Sequence, residues 1–464
     1  MDFAALFAKR PNHIKPGLER IQNSYQHLGR PAFELPTILL GGTNGKGSTS
    51  GFLWSLLGSN GGQFGLYTSP HLVRFSERFQ LNEGTPDDED LARLWQELEA
   101  QLPPELYDEL SFFEVATLLA FRLFEERKVR MQVLEVGLGG RWDATNISDP
   151  LVSVLVSVSR DHMEFLGHDV RGILKEKLGI MRRGRPLFWG DSGEICAIPG
   201  YRQIIDDQAR ELGCTVYSAG QEFGIDQGRL WIDLPGIPRV ELQLQGAWLA
   251  LPPFLQRNLS LAAAVYHYVA SRHLSIGLAP LPAIWSRWLE GRGPCPVTLL
   301  GRSQRLLAHE HRGGQPLILD VCHNPDGARA FATALRQRQP NAPLPALVSI
   351  LRDKDLNAIL DALRSAFHPV ILFGIEHERG WDPSMLEPRH QDLVFYGRFA
   401  EAWAAMREQK PGQPWAVCGS VAAVGQVLEW LDVLPKDMHV ARVIQGDWAW
   451  DADHLGATPG SSDP

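Results

Sequence analysis

The sequence predicts an α/β protein, with an N-terminal P-loop nucleotide-binding domain on a mostly parallel sheet and a smaller C-terminal Rossmann-like α/β domain. Three observations carry that prediction. Short apolar runs alternate with helical patterns along both halves of the chain, and such alternation implies parallel strands joined by crossover helices. A glycine-rich turn stands between the first of these runs and a helix, at ILLGGTNGKGSTSG from Ile38 to Gly51. A Gly- and Pro-rich stretch, EGRGPCPVTLLG from Glu290, separates the two patterns as a linker. The expected domains are residues 1–293 and 297–434, followed by a tail, 435–464, without clear periodicity and with a disordered end. At 464 residues the chain is also longer than one ordinary core supports.

Taken in order, Leu18, Ile21, Tyr25 and Leu28 are spaced for one face of an amphipathic helix. The glycine turn follows. Gly42, Gly45 and Gly47 let the backbone approach an anion, amides at the helix start point at it, and Lys46 adds a point charge. A hydroxyl from Ser48 or Thr49 suits magnesium. The general P-loop spelling is not met, because Leu40 and Gly47 stand where Gly and Ser or Thr are usual. A flexible turn with an exposed lysine is the plain alternative.

A second strand leads to Ser69-Pro70-His71, and helices are expected over Asp87–Leu102 and Phe112–Arg127. The run VRMQVLEVGLGG places Glu135 within an apolar strand, where a carboxylate is costly unless paired or bound to metal. LVSVLVSVSRDH reads as an eight-residue strand ending at Asp161-His162. Ser48, Ser69, Glu135 and His162 thus fall near the ends of four successive strands, where open α/β sheets bind ligands. A short helix over Gly172–Met181 carries Lys175 and Lys177, each read as solvated by default, and QRNLSLAAAVYHYVASRHL is a helix with Asn258 near its start. Beyond the linker, PLILD, ALVSI, VILFGI, LVFYG and WAVCG alternate with helical patterns.

A net charge of −9 argues against nonspecific nucleic-acid binding, which needs a basic face. The five cysteines are scattered and unpaired in spacing, as expected of reduced thiols in a cytoplasmic protein. No stretch approaches a membrane span, and no membrane partner is expected; the expected partners are small molecules, and the expected state is a monomer.

The motifs GTNGKGST (Gly42–Thr49), SPHL (Ser69–Leu72), EVGLGGRWDATN (Glu135–Asn146), DHMEFLG (Asp161–Gly167), EKLGI (Glu176–Ile180), Gly301-Arg302 and DVCHNP (Asp320–Pro325) occur in one order that resembles the folylpolyglutamate synthase/dihydrofolate synthase family, itself grouped with the Mur ligases. The resemblance implies two α/β domains with the active site in the cleft between them. It also implies ATP-dependent amide ligation: a pterin-linked carboxylate takes the γ-phosphoryl group of ATP, and glutamate displaces phosphate from the acyl phosphate. ATP contacts fall on Thr43, Asn44, Gly45, Lys46, Gly47, Ser48, Asn258, Arg302 and Asp320. Metal contacts fall on Ser48, Ser69, Glu135, His162 and Lys177, with Lys177 at the position carbamylated in the family. Lys46, His162 and Lys177 are the catalytic set. Substrate contacts fall on His13, Ile14, Phe112, Phe113, Trp142, Asp143, Ala144 and His323. The implied cofactors are ATP and two magnesium ions, with a monovalent cation left open.

Four departures from the family spelling stand out. HIKPGLER replaces TIDLGLER at His13, Trp142 stands where Leu is usual, Arg160 replaces Leu before Asp-His, and Cys322 replaces Ala. The first two touch the pterin side. A Mur-type ligase joining an amino acid to another carboxylate is the alternative, which the SPHL and GGRWDATN segments disfavour. A P-loop regulatory protein without ligase activity is disfavoured by the retained Glu135, His162 and Lys177.

Overall fold

The computed structural model describes residues 3, 16–29, 35–290, 300–306, 308, 311–338, 343–410 and 413–433. The linker at 291–296, the tail after 433, and His13 and Ile14 lie outside these residues. The chain divides into two compact units, one comprising Met1–Gln243 with Phe254–Thr298, the other Leu244–Pro253 with Leu299–Pro464.

The first unit is built on β1 (Thr37–Gly41), β2 (Phe64–Tyr67), β3 (Phe79–Gln80), β4 (Met131–Glu135), β5 (Val152–Leu155), β6 (Leu187–Trp189) and β7 (Val216–Ser218), in the order β3-β2-β4-β1-β5-β6-β7. All pairs are parallel except β2 with the edge strand β3. β1 and β4 are buried along their whole length, as strands covered by helices on both faces must be. β8 (Phe223–Asp226), β9 (Arg229–Ile232) and β10 (Val240–Gln243) form a separate antiparallel sheet.

The helix Lys46–Gly58 is buried on nearly every side, and its sequence has no polar face to offer solvent. Phe112–Glu126 begins with a capping box in which the Ser111 hydroxyl accepts from Glu114 N and the Glu114 carboxylate accepts from Ser111 N. Its apolar side packs into a core with Tyr67, Phe75, Phe79, Trp95 and Ile180.

The strand expected to reach Asp161-His162 is shorter than its apolar pattern: β5 stops at Leu155. Its partners end opposite Leu155, β1 at Gly41 and β6 at Trp189. Ser157 and Ser159 then bond to the glycine loop, while Val158 bonds to Ser192 and Ile195.

The second unit has β11 (Gln304–Leu306), β12 (Leu317–Asp320), β13 (Leu344–Val348), β14 (Phe367–Phe373), β15 (Val394–Tyr396) and β16 (Trp415–Cys418) in the order β11-β12-β16-β13-β14-β15. Only β11 runs antiparallel. Mixed α/β units with mostly parallel sheets are what the alternation of patterns predicted.

Candidate active site

The loop after β1 is braced from the segment that follows β5. Thr43 N donates to Ser157 O at 2.8 Å, Asn44 N donates to Ser157 Oγ at 2.8 Å, and Thr43 Oγ1 donates to Ser159 O at 3.0 Å. Gly45 has φ +83° and a Cβ there would lie 2.9 Å from both side-chain polar atoms of Asn258, so Asn258 packs directly on the loop. Gly47 and Ser48 form the first turn of the following helix, with the Ser48 side chain buried. This is the backbone cradle that anion binding at a helix N-terminus requires.

Lys46 Nζ donates to Gly42 O at 3.0 Å and to Thr43 O at 3.1 Å. Lys177, from the helix Val170–Leu178, donates its Nζ to the same Gly42 oxygen at 3.0 Å. Read as a solvated helix lysine, Lys177 is instead only 4 % exposed. Burial, then the charge of Lys46, pulls its amine down to about 7. The end of its helix also shapes the neighbouring loop, because Arg141 N donates to Glu176 O at 3.0 Å.

Glu135 closes β4 and is buried, not solvent-facing. Ser69 N donates to its Oε2 at 3.3 Å, which brings two of the expected metal ligands together. Among the described residues no group of three or more His, Cys, Asp or Glu forms a ready-made metal cage. Magnesium held by one or two protein groups plus phosphate oxygens needs none, and the oxygen donors Glu135, Ser69 and Ser48 fit that hard cation. His162 sits at φ 48°, next to Asp161, with Nε2 3.9 Å from Asp161 Oδ2. Asp161 lies near enough to Lys177 to act on it electrostatically.

Around Ser69 lies a buried polar group that the sequence did not single out. Arg78 Nε donates to His71 Nδ1 at 2.9 Å, and the Arg78 guanidinium lies 5.3 Å from the centre of the Phe112 ring. Burial and the Arg78 charge drive the His71 imidazole down to about 3, and burial lifts the Tyr67 phenol to about 12. Ser157, Ser159 and Arg78 were missed. The alternating serines in LVSVLVSVS were the available signal for the first two, and Arg78 had none, since an arginine in SERFQ reads as a surface charge.

On the expected substrate side, Phe113 packs so closely on Gly137 that a Cβ there would meet its ring at 2.6 Å. Phe112 packs against Phe75 with the two rings tilted, their centres 5.7 Å apart. Asp143 is spent on its own loop: Oδ2 accepts from Gly137 N and Leu138 N at 2.9 Å each, and Oδ1 accepts from Thr145 N at 3.0 Å. Burial raises its pKa against those donors. Ala144 is buried beside it, while Trp142 is 50 % exposed.

In the second unit Asp320 ends β12 and organises the loops on either side. Ser303 N donates to its Oδ2 at 2.8 Å and Cys322 N to its Oδ1 at 2.9 Å. Burial lifts this carboxyl to about 6, against those hydrogen bonds and the nearby Arg302 charge. Val321 N donates to Gly301 O at 2.7 Å, which sets Arg302 beside Asp320, and His323 Nδ1 lies 3.0 Å from Val321 O.

The Mur ligase, glutamate ligase domain profile matches residues 301–421. The folylpolyglutamate synthase of Lacticaseibacillus casei is 30% identical over 436 residues, covering 89% of this chain and 94% of the relative. The dihydrofolate synthase/folylpolyglutamate synthase of Escherichia coli strain K12 is 32% identical over 431 residues, covering 90% of this chain and 92% of the relative. The chain belongs to the folylpolyglutamate synthase/dihydrofolate synthase family. A solved bifunctional folylpolyglutamate synthase/dihydrofolate synthase with Mn, AMPPNP and L-glutamate bound matches with a TM-score of 0.77 at 29% identity, covering 93% of this chain and 98% of that one. E. coli FolC in complex with DHPP and ADP matches with a TM-score of 0.75 at 28% identity, covering 93% of this chain and 97% of that one. The folylpolyglutamate synthase/dihydrofolate synthase likeness therefore spans both units.

Proposed function

We propose that the protein is an ATP-dependent acid–amino-acid ligase that adds L-glutamate to dihydropteroate and to reduced folates through an acyl phosphate. The observation that carries this reading is the meeting of Lys46 and Lys177 on Gly42 O, both at 3.0 Å, beside a loop braced for phosphate. Phosphoryl transfer between two anions is governed by alignment and charge neutralisation. The loop amides from Gly45 to Ser48 and the Lys46 ammonium bind the phosphates, Thr43 and Asn44 brace the loop on Ser157, and Asn258 keeps it in register through Gly45. Glu135, Ser69 and Ser48, with His162 and a modified Lys177, would hold magnesium, which would supply positive charge to offset that of the phosphates.

Asp320 suits a ribose and Arg302 a phosphate, one accepting from hydroxyls and the other donating in a fork. Phe112, Phe113 and Trp142 offer aromatic faces for a pterin, with Asp143 and Ala144 fixing the loop on which Trp142 stands. His323 serves the substrate side. The reading carries with it a cytoplasmic monomer, and the net charge of −9 speaks against nucleic-acid partners. No helix among the described residues is long and apolar enough to cross a membrane.

Phosphate release measured with ATP, dihydropteroate and glutamate, each omitted in turn, tests the proposal. Release is expected only when all three are present, and release that continues without glutamate would overturn it. A thermal-shift comparison of folates with UDP-linked peptides separates it from a Mur-type ligase.

A further inference from the structure

We infer that Arg78 is a positioning residue that clamps the Ser69 turn from both sides, its main-chain oxygen holding Thr68 and its side chain holding His71, so that Ser69 stays registered on Glu135. The inference rests on the ligase reading for the role of Ser69 and Glu135, and on geometry for the clamp. Thr68 N donates to Arg78 O at 2.9 Å, and Arg78 Nε donates to His71 Nδ1 at 2.9 Å. The residue just before Ser69 and the residue two after it are thus tied to one side chain and its own backbone. Between these ties Ser69 N reaches Glu135 Oε2 at 3.3 Å.

The far end of the turn is anchored next to the clamp. Leu72 N and Val73 N donate to the Glu77 carboxylate at 2.7 and 2.9 Å, and Glu77 directly precedes Arg78. Arg78 is 7 % exposed, and a buried guanidinium is costly unless its donors are engaged and opposite charges lie near. Tyr67, Glu135 and Glu77 supply that surrounding. Its guanidinium carbon also lies 5.3 Å from the centre of the Phe112 ring, so the same group that steadies the metal-side turn borders the substrate-side ring.

A guanidinium has only donors, so His71 Nδ1 must present its lone pair. Lysine keeps charge but has neither the directed Nε–H nor the flat face, and the main-chain tie survives any substitution. Arg78→Lys and His71→Leu each remove the side-chain tie, whereas His71→Asn retains an acceptor near the Nδ1 position. Loss of such an outer contact typically weakens metal use by about 10- to 100-fold.

The test compares these three variants with wild type for the magnesium concentration giving half-maximal activity, for ADP affinity without divalent metal, and for the 15N resonance of His71 Nδ1. Arg78→Lys and His71→Leu are expected to need at least about tenfold more magnesium, with ADP affinity unchanged and with rescue in His71→Asn. The His71 Nδ1 resonance is expected to report an unprotonated, hydrogen-bonded nitrogen in wild type and to move in Arg78→Lys. If Arg78→Lys does not fold, the His71 pair carries the test. An unchanged magnesium requirement in folded His71→Leu, or no rescue by His71→Asn, overturns the inference. If wild type lacks glutamate-dependent phosphate release, the ligase reading fails instead, and the 15N resonance still decides whether the clamp exists.

Discussion

Lys46 and Lys177 reach one oxygen: each Nζ lies 3.0 Å from Gly42 O, although one opens the helix that follows the glycine loop and the other belongs to the helix Val170–Leu178. Two ammonium groups cannot share a carbonyl without strong repulsion, and the more buried amine loses its proton more easily, falling to about 7. An uncharged amine is the form that adds to CO2, giving a carbamate and releasing a proton. The prediction is that Lys177 carries this carbamate when the protein is equilibrated with CO2. A 13C resonance from labelled CO2 should appear in wild type and be absent in Lys177→Arg, with kcat in that variant lower by on the order of 10²-fold. Wild-type spectra without the resonance, and a fully active Lys177→Arg, would count against it.

Gly45 is the position where the loop tolerates no side chain. Its φ of +83° is left-handed, and an added Cβ would stand 2.9 Å from the Asn258 amide and 3.0 Å from Val156 Cγ1. The Asn258 side chain can move, but the backbone strain remains. Gly45→Ala is expected to lower stability by about 1–3 kcal/mol and to weaken nucleotide binding. Denaturant unfolding and calorimetric titration with ADP read the two effects. An alanine variant as stable and as tight as wild type would show that the loop is freer than its contacts indicate.

How far the sequence disclosed this depends on how local each feature is. Strand, glycine turn and helix follow one another within Ile38–Leu57, so the phosphate loop was legible, and the apolar run around Glu135 marked a buried carboxylate. The length of β5 was not legible, because Val156 and Val158 continue its alternation. What ends the strand is the departure of its neighbours: Val156 N donates to Gly41 O, and Ser157 and Ser159 then meet Thr43. β3 and β11 are two and three residues long with one apolar residue each, too short for any periodicity. Arg78 reads as a surface charge until Thr68 and His71 are brought to it by the pairing of β2 with β3.

Asp320 gives a pH dependence with a definite sign. Its carboxyl is raised from an ordinary 3.8 to about 6, so between those values the folded state holds a proton that the unfolded state has lost. Its contribution to stability is therefore complete below the unfolded pKa and is lost as pH rises through about 6. The ionised form is the one that accepts from a ribose, so nucleotide affinity should move the other way and rise across the same window. Titration of ADP from pH 5 to 8 in wild type and in Asp320→Asn cancels the nucleotide's own ionisation. The difference is expected to grow with pH, and parallel profiles in the two proteins would remove Asp320 from the nucleotide site.

Trp142 is an exposed ring on a fixed loop, and that combination separates binding from folding. The backbone before it is held by Arg141 N on Glu176 O, and the residue after it, Asp143, binds Gly137 N and Leu138 N through one oxygen. The indole itself is half exposed, so shortening it removes little packing, and Trp142→Leu should change stability by no more than about 0.5 kcal/mol. A stacked aromatic pair contributes about 0.5–1.5 kcal/mol, which corresponds to a rise in the KM for dihydropteroate of up to about tenfold. The KM for ATP should not move, because no P-loop contact is altered. Steady-state kinetics with each substrate varied in turn measure both constants. A ring that stacks on the pterin raises only the first of them, whereas equal changes in the two would mean that the substitution has disturbed the loop that Asp143 holds.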